Sequence, residues 1–154
     1  MPTLHENTTL SIAWMEHQIL EHVKQALRVT LDWQAPVVSM PRKLSSVQFT
    51  AKSFQRHLER LMCIEEEGGY MREVLDVQPN LQNRIERLAT DHARFRAGIC
   101  ELVPHLDSLN EWDEARFEEL SNHLRALLDD VDRHDAQEVE LLEESLWLDV
   151  GGEG

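Results

Sequence analysis

Apolar residues recur at alternating intervals of three and four along four stretches of the chain. The first covers about 10–33 and aligns Leu10, Ala13, His17, Leu20, Lys24, Leu27 and Leu31 on one stripe. The second, about 46–76, aligns Phe54, Leu58, Leu61, Glu65, Gly68, Arg72 and Leu75. The third, about 81–103, aligns Leu81, Ile85, Leu88, His92, Phe95, Ile99 and Leu102. The fourth, about 111–148, runs through Leu120, Leu124, Leu127, Val131, His134, Glu138, Leu141, Ser145 and Leu148. Side chains at this spacing share one face of a helix, so each stretch predicts a helix with one stripe turned to a core.

The joints between the stretches agree with that reading. Asp76-Val77-Gln78-Pro79-Asn80 is a short turn, with Asn80 placed to cap the third helix. Pro104 is expected to stop the third helix, and Asn110 to cap the fourth with Asp113 at its third position. Residues 34–45, with Pro36 and Pro41, read as a longer loop over one end. Short connections after the second and third helices predict antiparallel neighbours. The fourth stretch would be about 57 Å long at 1.5 Å per residue. That exceeds its neighbours, so a kink, a late start or an overhang is expected there. The prediction is an all-α, four-helix bundle in a single domain over 1–154.

Charge narrows the choice of partner. Fifteen Lys and Arg against 29 Asp and Glu give a net charge of −14. Nucleic acid and anionic membrane surfaces both need a basic face, so neither is expected as a partner. No apolar run reaches the length of a membrane span. The start, Met1-Pro2-Thr3-Leu4-His5, has neither the basic residues nor the apolar stretch of a secretory signal. With only Cys63 and Cys100, no disulfide framework is possible, and the expected compartment is the reducing cytoplasm. The two cysteines are expected as small core residues, and Trp14, Trp33, Trp112 and Trp147 as plugs near the bundle ends.

What interrupts the apolar stripes carries the chemistry. Three stripes hold a histidine (His17, His92, His134) and two hold a glutamate (Glu65, Glu138). A buried carboxylate without a partner costs several kcal/mol, so these residues must pair with one another or with a ligand. Imidazole and carboxylate together suit iron, manganese or zinc. Glu65 lies eleven residues before Asp76, and His92 lies twelve after Asn80, so an antiparallel pair brings them to one level. His134 and Glu138, four apart, share a helix face. The more complete ligand group on this reading is His92, His134 and Glu138; the second is His17 with Glu65. His57, one turn before Leu61, is a weaker candidate for a substitute ligand. His22 is expected at the surface or behind the first ring of ligands, and His5, His105 and His123 have no assigned role.

Taken in order, these residues resemble the hemerythrin-like family, also called the HHE cation-binding domain. The resemblance rests on Glu16-His17 with Leu20, on Glu65-Glu66-Glu67-Gly68-Gly69-Tyr70, on Asp91-His92, and on His134-Asp135-Ala136-Gln137-Glu138 followed by Leu141-Leu142. Asp149-Val150-Gly151-Gly152 is similar to the tail of bacterial members. The resemblance implies an up-down-up-down antiparallel bundle holding non-haem iron, one or two ions. It implies His17, Glu65, His92, His134 and Glu138 as ligands, and binding or sensing of oxygen or a related small molecule instead of turnover of an organic substrate. The family's helix-two histidine falls on Leu61, and Arg96 stands where the marine oxygen carriers have a second helix-three histidine. The competing expectation is a degenerate, metal-free bundle serving as a protein-interaction or structural module.

Overall fold

A computed structural model of the chain describes residues 4–34, 36–67 and 78–151. Four α-helices make up almost all of it: α1 (Leu4–Leu31), α2 (Met40–Glu67), α3 (Gln82–Asp107) and α4 (Glu114–Gly151). There is no strand among the described residues, and no helix there is long and apolar enough to cross a membrane. The fold is a four-helix bundle. Contacts between helices run in opposite senses along the chain. Gln48 of α2 donates to the Leu106 carbonyl of α3, whereas Glu65, later in α2, meets His92, earlier in α3. Arg28 of α1 meets Asp129 of α4, and His17, earlier in α1, meets Glu138, later in α4.

The stripes are buried as their spacing requires. Leu20, Leu27 and Leu31 of α1, Phe54, Leu58 and Leu61 of α2, Phe95 and Ile99 of α3, and Leu120, Leu124 and Val131 of α4 meet in one apolar cluster. Leu81, Ile85, Leu88 and Leu141 form a second, smaller one. The stripe positions Gly68, Arg72 and Leu75, the glycine pair at 68–69 and Asp76 lie outside the described residues, as do the side chains of Leu10, Ser145, Trp147 and Leu148.

Several boundaries differ from expectation for local reasons. α2 starts at Met40, inside the expected loop. Pro41 falls in its first turn, where a missing N–H costs no intrahelical bond. α3 passes through Pro104 to Asp107 instead of stopping there. The proline cannot donate, yet its carbonyl still accepts from the Ser108 N–H at 3.1 Å, and Val103 and Leu106 hold the last turn by burial. Asn80 does not cap α3. Pro79–Leu81 forms a 3-10 turn instead, closed by Leu81 N–H to the Gln78 carbonyl. Asn110 and Asp113 do act together. Asp113 accepts from the Asn110 N–H and Asn110 from the Trp112 N–H, both at 2.9 Å. They close a turn before α4 begins at Glu114, three residues later than expected, and α4 still runs for 38 residues because it also ends later, at Gly151.

Trp14, Trp33 and Trp112 and the two cysteines are not core residues. Trp112 is 83% exposed, Trp14 is exposed and Trp33 half-buried. Trp14 follows the stripe position Ala13 directly, which turns it about 100° away from the core. Cys100 is exposed and Cys63 half-buried, with its thiol donating to Glu59 at 3.3 Å.

Candidate metal centre

The three histidines and two glutamates of the stripes meet at one level of the bundle. Glu65 reaches His17 through Oε1 and His92 through Oε2, each at 3.2 Å from the ring Nε2. Glu138 spans a second pair: Oε1 is 3.8 Å from His17 Nε2 and Oε2 is 3.4 Å from His134 Nε2. The His92 and His134 rings lie 5.0 Å apart, and Phe95 packs edge-on against His134. Glu65, His92, His134 and Glu138 are buried; His17 is the open edge at 27% exposure.

All three histidines turn Nε2 inward, and two have Nδ1 fixed from outside. His134 Nδ1 lies 3.0 Å from Asp91, and His92 Nδ1 lies 3.0 Å from Glu66. Glu66 is itself gripped by both terminal nitrogens of Arg96, at 2.7 and 2.9 Å, while Arg96 Nε donates to Glu59. A carboxylate on the far nitrogen fixes ring tautomer and direction, as it does for metal-bound histidines. Asp91, Glu66 and Arg96 enter the sequence reading only through the family resemblance, none of them as a partner of a histidine ring. An acid beside a stripe histidine was the one signal of Asp91, and it serves the histidine of the next helix.

The electrostatics follow from burial and pairing. Burial disfavours the His17 imidazolium, but Glu138 and Glu65 outweigh it and raise the ring to about 10. His134 is likewise raised to about 9, with Glu138 and Asp91 overcoming burial. His92 is raised by Glu65 and Glu66 against the same opposition. Burial pushes the Glu65 carboxyl up, against the pull of His17 and His92. For Glu138, burial is overcome by His134 and His17, which hold it well below the usual carboxylate range. Without metal, protons on His17 and His134 therefore offset carboxylate charge in the layer.

The donor atoms also fit a metal ion. One atom each from Glu65, His92 and His134 lies within 4.8 Å of the others; the same holds for His17, Glu65 and Glu138, and for His134, Asp135 and Glu138. Nitrogen and oxygen donors about 2.1 Å from a common ion lie roughly 3–4 Å apart, and the four histidine–glutamate separations here are 3.2, 3.2, 3.8 and 3.4 Å. His92 Nε2 and Glu65 Oε1 are buried, and each has only an ion-pair contact at 3.2 Å that lacks hydrogen-bond geometry, Nε2 with Glu65 Oε2 and Oε1 with His17 Nε2. Glu65 belongs to both of the first two groups, which differs from the sequence grouping of His92 and His134 with Glu138 alone.

The remaining candidates sit apart. His57 faces Glu16, its Nδ1 3.5 Å from Oε2, and Arg60 grips the other Glu16 oxygen at 2.8 Å. Glu16 is thereby buried, a role its off-stripe position did not reveal. His22, His105 and His123 are exposed. Leu61 is buried in the larger apolar cluster, one turn before Glu65.

No protein-family model, curated protein or solved structure matches this chain.

Proposed function

We propose that this chain is a hemerythrin-like iron protein of the cytoplasm. It holds one or two non-haem iron ions through His17, Glu65, His92, His134 and Glu138, inside an up-down-up-down antiparallel bundle, and binds or senses oxygen or a related small diatomic molecule. The observation that carries this reading is the direction of the rings. Three Nε2 atoms converge on two carboxylates that each span a pair of histidines, while Asp91 and Glu66 hold two of the rings from behind.

Iron bound there would supply an open coordination position and a redox-active centre for a small ligand. The protein residues divide the remaining tasks. Glu65 and Glu138 provide the negative charge that a cation needs in a buried place. Phe95, buried and edge-on against His134, lines the site from the bundle interior. The incomplete burial of His17 leaves that side as the approach for a small molecule.

Leu61 favours a second reading, a metal-free bundle used as a protein-interaction module. It puts an apolar wall where the family's histidine would stand, and protons on His17 and His134 can offset carboxylate charge in the layer. Metal analysis of freshly purified protein separates the two. The expected result is one to two iron per chain and colour on iron loading, with His134→Ala and Glu138→Ala losing iron and His123→Ala retaining it. Protein that stays colourless and iron-free after anaerobic loading and exposure to air supports the second reading.

A further inference from the structure

The outer face of α1 carries a second stripe. Ile12, Met15, Ile19, His22, Ala26 and Val29 follow one another at intervals of three, four, three, four and three. All six are exposed, Met15 at 61% and Val29 at 57%. At 100° per residue they lie on the side of the helix away from Leu20, Leu27 and Leu31. The exposed positions among them, Gln18 and Gln25, are uncharged, as is Trp14 at the margin. Across this arc from Ile12 to Val29 there is no charged residue, in a chain with 29 Asp and Glu and a net charge of −14.

We propose that this stripe is where two copies of the chain pair, α1 against α1 in antiparallel sense. Its spacing is that of a helix–helix seam. Two copies of so acidic a chain repel one another wherever carboxylates face, and this arc offers a contact free of charge on both sides. A membrane surface would need Lys or Arg beside the apolar stripe, and the arc has none. Side-chain sizes set the direction. The stripe read backwards matches itself, so an antiparallel pair sets Ile12 against Val29 of the second copy, Met15 against Ala26, and Ile19 against His22. A long side chain then meets a shorter one in the first two layers. A parallel pair would set Ala26 on Ala26 and Met15 on Met15, leaving a gap at the first layer and crowding at the second. One patch used by both copies gives a closed two-fold dimer. The stripe is about 26 Å long. A contact of that length lies at the small end of specific interfaces, so the dimer should dissociate on dilution.

Sedimentation of the full chain from about 1 to 200 µM tests this, since a contact of this size implies micromolar affinity. The expected result is a monomer–dimer equilibrium. Ile19→Glu, which brings two carboxylates into an apolar seam, should weaken it about 100-fold or more. Phe49→Glu, at a more exposed apolar site on α2, should leave it unchanged. Met15→Glu serves as the second disrupting variant, with helicity and iron content equal to the parent's as evidence of an intact bundle. In a Cys100→Ser background, Met15→Cys combined with Ala26→Cys should cross-link on mild oxidation, and Met15→Cys alone should not. Parent protein that is monomeric throughout, including parent that binds lipid vesicles or another protein as a monomer, overturns the proposal. So does a dimer that survives Ile19→Glu and Met15→Glu, or one cross-linked by Met15→Cys alone.

Discussion

Two clusters of buried charge lie on the same two helices, about 10 Å apart along α1, and they close differently. Lys24 is buried between α1 and α4 with three carboxylates on its ammonium: Asp132 at 2.7 Å, Asp135 at 2.9 Å and Glu21 at 3.0 Å. Burial would depress its pKa, yet Asp135 and Asp132 raise it, so the lysine stays charged and fully engaged. Arg28 extends the same network to Asp129 and Asp132. In the layer two turns away, His92 Nε2 and Glu65 Oε1 have only ion-pair contacts at 3.2 Å that lack hydrogen-bond geometry. Buried polarity alone is therefore no sign of a ligand. The Lys24 cluster satisfies itself, whereas the histidine layer aims donor atoms at a shared interior point.

Substitutions can break that contrast or sharpen it. The largest effect is expected from Glu65→Ala, because two of the ligand groups share this carboxylate. Iron binding should weaken by about 100-fold or more, beyond the 10–100-fold typical of an outer partner. Lys24→Met should do the opposite, lowering stability by about 2 kcal/mol in urea melts while iron content stays at the parent's value. Iron lost from the Lys24 variant would show that the clusters are one system. Next comes Asp91→Asn, which removes the charge behind His134 without touching the interior; titration should show iron affinity down about 10–100-fold. An unchanged affinity would mean that the outer carboxylate has no hold on the ring.

The smallest effect is a pH dependence. His17 and His134 stand at about 10 and 9 in the folded protein against 6.5 when free of partners. Stability from a raised histidine pKa is complete below pH 6.5 and disappears as pH climbs through the folded values. The urea midpoint of metal-free protein should therefore fall between pH 7 and 10. Iron-loaded protein should fall less, since binding has already displaced those protons, and loading at pH 7 should release protons to the medium. A flat profile for metal-free protein would remove the histidines from the charge balance.

Much of this was legible in the sequence because burial imposes periodicity. The stripe of α3 from Leu81 to Leu102 is buried at every position, and Glu65 and His92 share a level as counting from the turns required. What escaped lies off the stripes. Glu16, Glu66, Asp91 and Arg96 act by reaching sideways to a neighbouring helix, and single-helix periodicity carries no information about such contacts. The proline at 104 misled because its rule concerns the N–H and the preceding turn, while tertiary burial of Val103 and Leu106 decided the outcome. Trp14 and Trp112 misled because size was read as burial, though neither occupies a stripe position.

The polar layer also has a mechanical consequence. It divides the apolar interior among the described residues into twenty-one side chains on one side and four on the other. The four, Leu81, Ile85, Leu88 and Leu141, join only α3, its entry turn and α4. Within the described residues no buried apolar side chain bridges the layer, so its ion pairs couple the two clusters, which should open as separate cooperative units when the layer is disturbed. Amide protons around Ile85 and Leu141 should then exchange independently of those around Phe95 and Leu124. An occupant of the layer would join the two ends and slow that exchange.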